Sequence, residues 1–94
     1  MKMIYTLVGM QYRQSKQLVA KMQRGTGLAL RRNPENQHDP NAVEVWYEGK
    51  HIAFIKATEV RELAAMMDRG GYKEINGIFT TGGDRWPQVE VDIR

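Results

Sequence analysis

The densest run of chemically capable side chains lies between Arg31 and Val43, reading Arg-Arg-Asn-Pro-Glu-Asn-Gln-His-Asp-Pro-Asn-Ala-Val. Arg31 and Arg32 suit phosphate oxygens, because a guanidinium offers a fixed fork of donors and keeps its charge. Asn36 and His38 can hydrogen-bond a sugar or a base edge, and the Asp39 carboxylate accepts from a hydroxyl. A purely structural reading competes for part of this run. Asp39-Pro40-Asn41 is a turn in which the Asp39 carboxylate takes the Asn41 backbone N–H, an Asx-turn. That accounts for three residues and leaves both arginines, Asn36 and His38 unexplained.

The charge distribution favours a polyanion as the partner. Up to Arg32 there are seven basic residues (Lys2, Arg13, Lys16, Lys21, Arg24, Arg31 and Arg32) and no acid, while seven basic residues face all eleven acids in the remainder. The net charge of +3 hides this asymmetry. If the acid-free third folds onto one face, that face attracts phosphates. The alternative is an ordinary solvated surface.

Other chemistries are poorly supplied. With no cysteine there is no thiol nucleophile, disulfide or cysteine metal site, which fits a reducing compartment. The one serine, Ser15, has no His or Asp near it in sequence, and no glycine-rich phosphate loop follows a strand. His38, Asp39 and His51 match no metal-ligand spacing. The expectation is therefore no enzyme, no metal and no cofactor. The N-terminal apolar run is too short for a signal segment, and no segment is long enough to cross a bilayer. The expected location is cytoplasmic, nucleoid-associated if the chain binds DNA.

Ninety-four residues, 41% hydrophobic and 27% charged, suit one globular domain over 1–94. Met3 to Val8 reads as a strand ended by Gly9. Ser15 to Gln23 is a short helix or an irregular connector, with Leu18, Val19 and Met22 at helical spacing. Leu28 to Arg32 is a strand, and Asn33 to Pro40 is a structured loop. Ala42 to Ile55 forms a hairpin around Glu48-Gly49-Lys50. It makes Trp46 and Tyr47 face opposite ways, one buried and one exposed, and leaves His51 a solvated strand residue. Thr58 is the expected N-cap of the one main helix, Glu59 and Glu62 complement its dipole, and Gly70-Gly71 ends it. Val60, Leu63, Ala64 and Met67 give that helix a single apolar stripe. Tyr5 is expected in the core. Glu74 to Thr80 and Gln88 to Arg94 are strands around Gly82-Gly83-Asp84-Arg85; in the second, Val89, Val91 and Ile93 point inward. Trp86 serves either as packing or as an exposed stacking surface. The predicted fold is mostly β with one main helix, a small, partly open OB-like or SH3-like barrel of five to six strands.

The run Arg32 to Val45 resembles the signature loop of HIRAN domains, R-x-P-x-N-x-x-D-x-N-A-[VI]-x-V. Val8-Gly9-Met10-Gln11-Tyr12 is similar to the family's first-strand V-G-x-x-Y, and Ile52-Ala53-Phe54-Ile55 stands at I-G-[YH]-[IL]. The resemblance runs from about Val8 to Asp68. It implies a barrel-like module, often fused to SNF2-type helicases, that in the eukaryotic DNA-end reader recognises the 3′-hydroxyl of single-stranded DNA. Carried over by position, it implies that Tyr12 stacks on a terminal base and Asp39 accepts the 3′-hydroxyl. Asn36 would contact DNA near that end and His38 would line the pocket. This chain departs from the pattern at several points: Gln11 stands at a basic position although Arg13 follows, His38 replaces a larger aromatic, and Phe54 replaces a polar or phenolic residue. Ala53 replaces glycine, while Lys56 keeps a basic group near the helix start. The expected binding residues are Tyr12, Arg13, Arg31, Arg32, Asn36, His38, Asp39, Phe54 and Lys56, and the expected partner is single-stranded DNA in repair or replication. The alternative is a protein–protein adaptor that recruits a helicase or another partner through the outward faces of the C-terminal strands.

Overall fold

Period-two alternation of β-branched and aromatic residues builds the strands, because it gives each one a face to bury. In the computed structural model, which describes residues 1–80 and 86–94, there are six. They are β1 (Lys2–Val8), β2 (Gly27–Arg32), β3 (Val43–Tyr47), β4 (Lys50–Ile55), β5 (Ile75–Thr80) and β6 (Gln88–Ile93). The expected Gly82-Gly83-Asp84-Arg85 loop lies outside the described residues. Every neighbouring pair is antiparallel, and the order β1-β4-β3-β2-β5-β6 closes on itself. The anticipated small barrel is thus six-stranded and closed rather than partly open. Two joints in it are short: β1 meets β4 only at Leu7–Ile55 and Val8–Phe54, and β2 meets β5 only at Gly27–Ile78 and Leu28–Gly77.

The inward residues Tyr5, Leu7, Val43, Val45, Phe79, Val89 and Val91 are buried, each worth about 1.5–3 kcal/mol for the larger apolar side chains. The last strand alternates as its sequence predicts, with Ile93 half-buried at its end. At the β2–β5 joint Gly77 is required by close approach: a Cβ there would lie 2.8 Å from the Leu28 carbonyl oxygen and 3.2 Å from Val89 Cγ2.

The hairpin forms where expected, with a turn tighter than predicted. Glu48 and Gly49 carry φ of 46° and 81°, the left-handed pair that a two-residue primed turn needs. The register then slips between Val45 and Trp46, so that Trp46 faces His51 while Val45 faces Ala53. Ile52 is the residue the register skips, the extra member of a β-bulge. Its carbonyl is taken by the hydroxyl of Ser15, which is fully buried.

The stretch after β1 is a 3-10 turn at Met10–Tyr12 followed by a short helix, α1 (Lys16–Ala20). Ser15 stands at the N-cap position of α1, yet its hydroxyl makes no capping bond and turns to β4 instead. The main helix, α2 (Arg61–Arg69), buries Leu63 and Ala64, with Val60 buried before it and Met67 half-buried. Thr58 does not cap it. The cap position is Val60, which makes no side-chain bond. Glu59 does not serve the helix dipole either: its carboxylate accepts from the Thr6 backbone N–H (2.7 Å) and the Thr6 hydroxyl (2.9 Å), pinning the β4–α2 connection to β1. Gly70 ends the helix with φ of 74°. No helix among the described residues is long and apolar enough to cross a membrane.

Candidate nucleic-acid interface

Three chain segments converge at one end of the barrel to form an open pocket of about 360 Å³, within the range of small-ligand sites. The end of β1 and its 3-10 turn contribute Val8, Gly9, Gln11 and Tyr12; the 33–42 loop contributes Asn36, His38, Asp39 and Ala42; β4 and its exit contribute Phe54, Ile55 and Ala57. Gly9, at φ 81°, makes the bend that turns the chain out of β1, a conformation that glycine adopts without strain. Tyr12 comes off this bend 78% exposed, on the same pocket as Asp39. The two residues that the sequence reading set together, 27 positions apart in the chain, are thus brought to one site.

The loop is organised by its own side chains. Asp39 Oδ1 accepts the Asn41 N–H at 2.9 Å, the expected Asx-turn. Asn36 Oδ1 accepts two backbone N–H groups, from His38 (2.9 Å) and Asp39 (3.0 Å), so what Asn36 offers a ligand is its NH2. Asp39 is itself part of the pocket lining. The lining holds this one acid and no lysine or arginine. Neutral donors, three aromatic rings (Tyr12, His38, Phe54) and a single carboxylate suit a stacked ring bearing a hydroxyl better than a phosphate.

The cations are placed differently from the expectation of one basic face. Arg32 is committed inside the protein. Its Nε and Nη2 donate to the two Asp68 oxygens (2.9 and 3.0 Å), Nη1 to the Ala42 carbonyl (2.7 Å), and Nη2 also to the Pro40 carbonyl (3.0 Å). The hydrogen bond to Asp68 raises the Arg32 pKa further, and Arg32 in turn holds the Asp68 carboxyl below its usual range. Arg32 therefore positions the Asp39 turn and does not reach phosphate. Lys56 is exposed, but its neighbours Ile55 and Ala57 line the pocket and it does not. Arg24 reaches Thr80 on β5, away from the signature loop.

Arg31 and Arg13 lie on an aromatic row that the sequence reading missed. The Arg31 guanidinium sits 5.4 Å from the Trp46 ring centroid, Trp46 stacks on His51 at 5.5 Å, and His51 meets Phe54 edge-on at 4.7 Å. His51 is thus half-buried rather than solvated, and Trp46 and Tyr47 are both half-buried rather than split between inside and outside. Arg13 Nη1 donates to His51 Nδ1 at 2.8 Å, and His51 Nε2 lies 3.0 Å from the Ala53 carbonyl. A guanidinium only donates and a carbonyl only accepts, so this pair of bonds requires the neutral ring with its proton on Nε2. Burial first, and then the Arg13 charge, hold this imidazole below its ordinary pKa, against the opposing pull of Glu44 and the Ala53 carbonyl. Glu44 is occupied on both oxygens, by Asn33 Nδ2 (2.9 Å) and Trp46 Nε1 (2.8 Å). The hairpin pattern signals that Glu44, Trp46 and Phe54 share an outward face. The bulge that brings His51 between Trp46 and Phe54 leaves no mark in the sequence.

The family model for the HIRAN domain matches residues 2–93. The chain belongs to the HIRAN domain family. Two solved structures share the HIRAN fold seen here. The crystal structure of the HIRAN domain of human HLTF superposes with a TM-score of 0.78 at 22% identity, covering 98% of this chain and 74% of that one. A protein from Lactobacillus plantarum gives a TM-score of 0.78 at 24% identity, covering 94% and 87% respectively. No curated protein matches the chain. Within this HIRAN domain the pocket is framed by the signature loop, where the sequence resemblance is strongest, and by the V-G-x-x-Y segment. Among the described residues no group of His, Asp and Glu is arranged to hold a metal ion. Trp86, beside the β6 start, is 70% exposed.

Proposed function

We propose that this HIRAN domain is a binding module for the 3′-hydroxyl end of single-stranded DNA, acting without catalysis in repair or replication. The observation that carries the reading is the Asp39 carboxylate. One of its oxygens is fixed by the Asn41 N–H, and the group lies on a pocket walled by Tyr12, His38 and Phe54. In such a site Tyr12 stacks on the terminal base, a contact worth about 1–3 kcal/mol and tolerant of base identity. Asp39 accepts the 3′-hydroxyl proton and repels a terminal phosphate. The Asn36 NH2 and Gln11 reach the sugar or base, and Arg13 meets the phosphate that precedes the terminal nucleotide. Family membership supports this reading, since HIRAN domains are DNA-binding modules and are often joined to helicases. A helicase is accordingly the natural protein partner, and the nucleoid the natural location.

Fluorescence anisotropy with two oligonucleotides differing only at the 3′ terminus, hydroxyl against phosphate, tests the assignment. Wild type is expected to prefer the hydroxyl end, and Asp39→Ala to lose that preference while keeping its affinity for the phosphate end. Equal loss on both ends removes end recognition and leaves general strand binding.

The adaptor reading retains one specific support. On the outer face of the β1–β6–β5 sheet, Ile4 (59% exposed) and Ile78 (40% exposed) flank Glu90 across the ladder. Absence of oligonucleotide binding even at low salt would turn attention to that face as the functional surface.

A further inference from the structure

The aromatic row on the outer face of β2, β3 and β4 begins at the pocket and leads away from it. Phe54 belongs to both: it lines the pocket and touches His51 edge-on at 4.7 Å. From His51 the row continues to Trp46 and ends under the Arg31 guanidinium. A second cation, Arg13, is fixed to the same His51 ring, one residue on from Tyr12. The acid on this face, Glu44, has both oxygens engaged by Asn33 and the Trp46 indole N–H, and so orients the indole.

We propose that this row is a second subsite, the track for the nucleotides that precede the terminal one. The inference rests on the pocket's holding a strand end, and it extends that reading to residues outside both the signature loop and the pocket. The strand leaves the pocket past Phe54 and crosses Arg13 and His51. A base then stacks on the Trp46 indole, which Arg31 covers in the unbound protein. Arg31, released from the ring, meets the neighbouring phosphate. The occupant is fixed by continuity with the pocket and by the chemistry: flat π-surfaces alternating with two guanidinium groups suit a single strand, whose bases stack and whose phosphates need cations.

Titration calorimetry with thymidine oligonucleotides tests it, comparing a dinucleotide with a chain of about eight residues, the length range of one OB-like site. Wild type is expected to bind the longer strand more tightly and with a steeper salt dependence. Trp46→Ala and, separately, Arg31→Ala are expected to weaken the longer strand about fivefold or more while leaving the dinucleotide within about twofold. Trp46→Phe, which keeps a ring, is expected to recover most of the loss, and Arg31→Ala to lower the salt slope by about one. Unchanged affinity of both alanine variants for the longer strand overturns the track and leaves the pocket standing, as does a wild type that gains nothing from length. A wild type that binds neither oligonucleotide removes pocket and track together.

Discussion

Replacing Ser15 with alanine isolates the one fully buried polar side chain among the described residues. The hydroxyl reaches across from the N-terminus of α1 to the carbonyl of Ile52, the residue that the β4 bulge leaves out of register. The substitution removes a single oxygen, so the cavity is small and the cost is dominated by a buried carbonyl left without its donor. That cost is about 1–3 kcal/mol. For a domain of this size each kcal/mol lowers the melting temperature by roughly 4–8 °C, which places the expected fall at about 4–24 °C. Urea unfolding followed by far-ultraviolet circular dichroism should show the midpoint moving while the slope stays constant. The bond also ties the segment bearing Tyr12 to the strand bearing Phe54, so oligonucleotide affinity should drop at temperatures where the variant is still folded. A destabilisation below about 0.5 kcal/mol, typical of a neutral surface change, would refute the argument that Ser15 satisfies the bulge.

Three further outcomes follow from particular contacts. Arg32→Ala should weaken oligonucleotide binding although Arg32 does not face the pocket, and should speed amide exchange at Asn41 and Ala42; Asp68→Asn, which keeps the two carbonyl bonds of Arg32, should do much less, and exchange unaltered by Arg32→Ala would contradict the positioning role. His51 is held below the ordinary imidazole pKa of 6.5 by burial and by Arg13. The native state then binds fewer protons than the unfolded chain just below pH 6.5, so the contribution of His51 is complete above that pH and is lost as pH falls toward its depressed native value. Proton NMR titration finding a His51 midpoint at or above 6.5 would reverse the sign. Gly77→Ala should destabilise by about 1–3 kcal/mol by forcing β5 off Leu28 and Val89, read from the unfolding midpoint; a neutral result would mean that the β2–β5 joint can open without penalty.

Local pattern carried the strands, the hairpin and the signature loop into the sequence reading because each is decided within a dozen residues. Val89 and Val91 alternate with polar neighbours, and Asp39-Pro40-Asn41 closes its own turn. The pairing of Tyr12 with Asp39 came from the family resemblance, since nothing local links positions so far apart in the chain. What stayed hidden was decided by distant partners. Arg32 looks like a phosphate ligand until α2 delivers Asp68 to it, and Glu59 looks like a dipole partner until β1 delivers Thr6. His51 looks solvated because the bulge beside it is a register slip with no residue signature. Closure of the barrel was likewise illegible: it depends on two joints of two residue pairs each, between strands far apart in sequence.

One of those joints, Leu7–Ile55 and Val8–Phe54, coincides with the pocket, since Val8, Phe54 and Ile55 belong to both. A guest lodged between Tyr12 and Phe54 therefore grips the two staves of the barrel at their thinnest bond. Occupancy and closure become linked quantities: whatever favours one favours the other by the same free energy. The domain then reports its cargo through its own cohesion, growing harder to pry open when the berth is filled, with no separate moving part needed to carry the message.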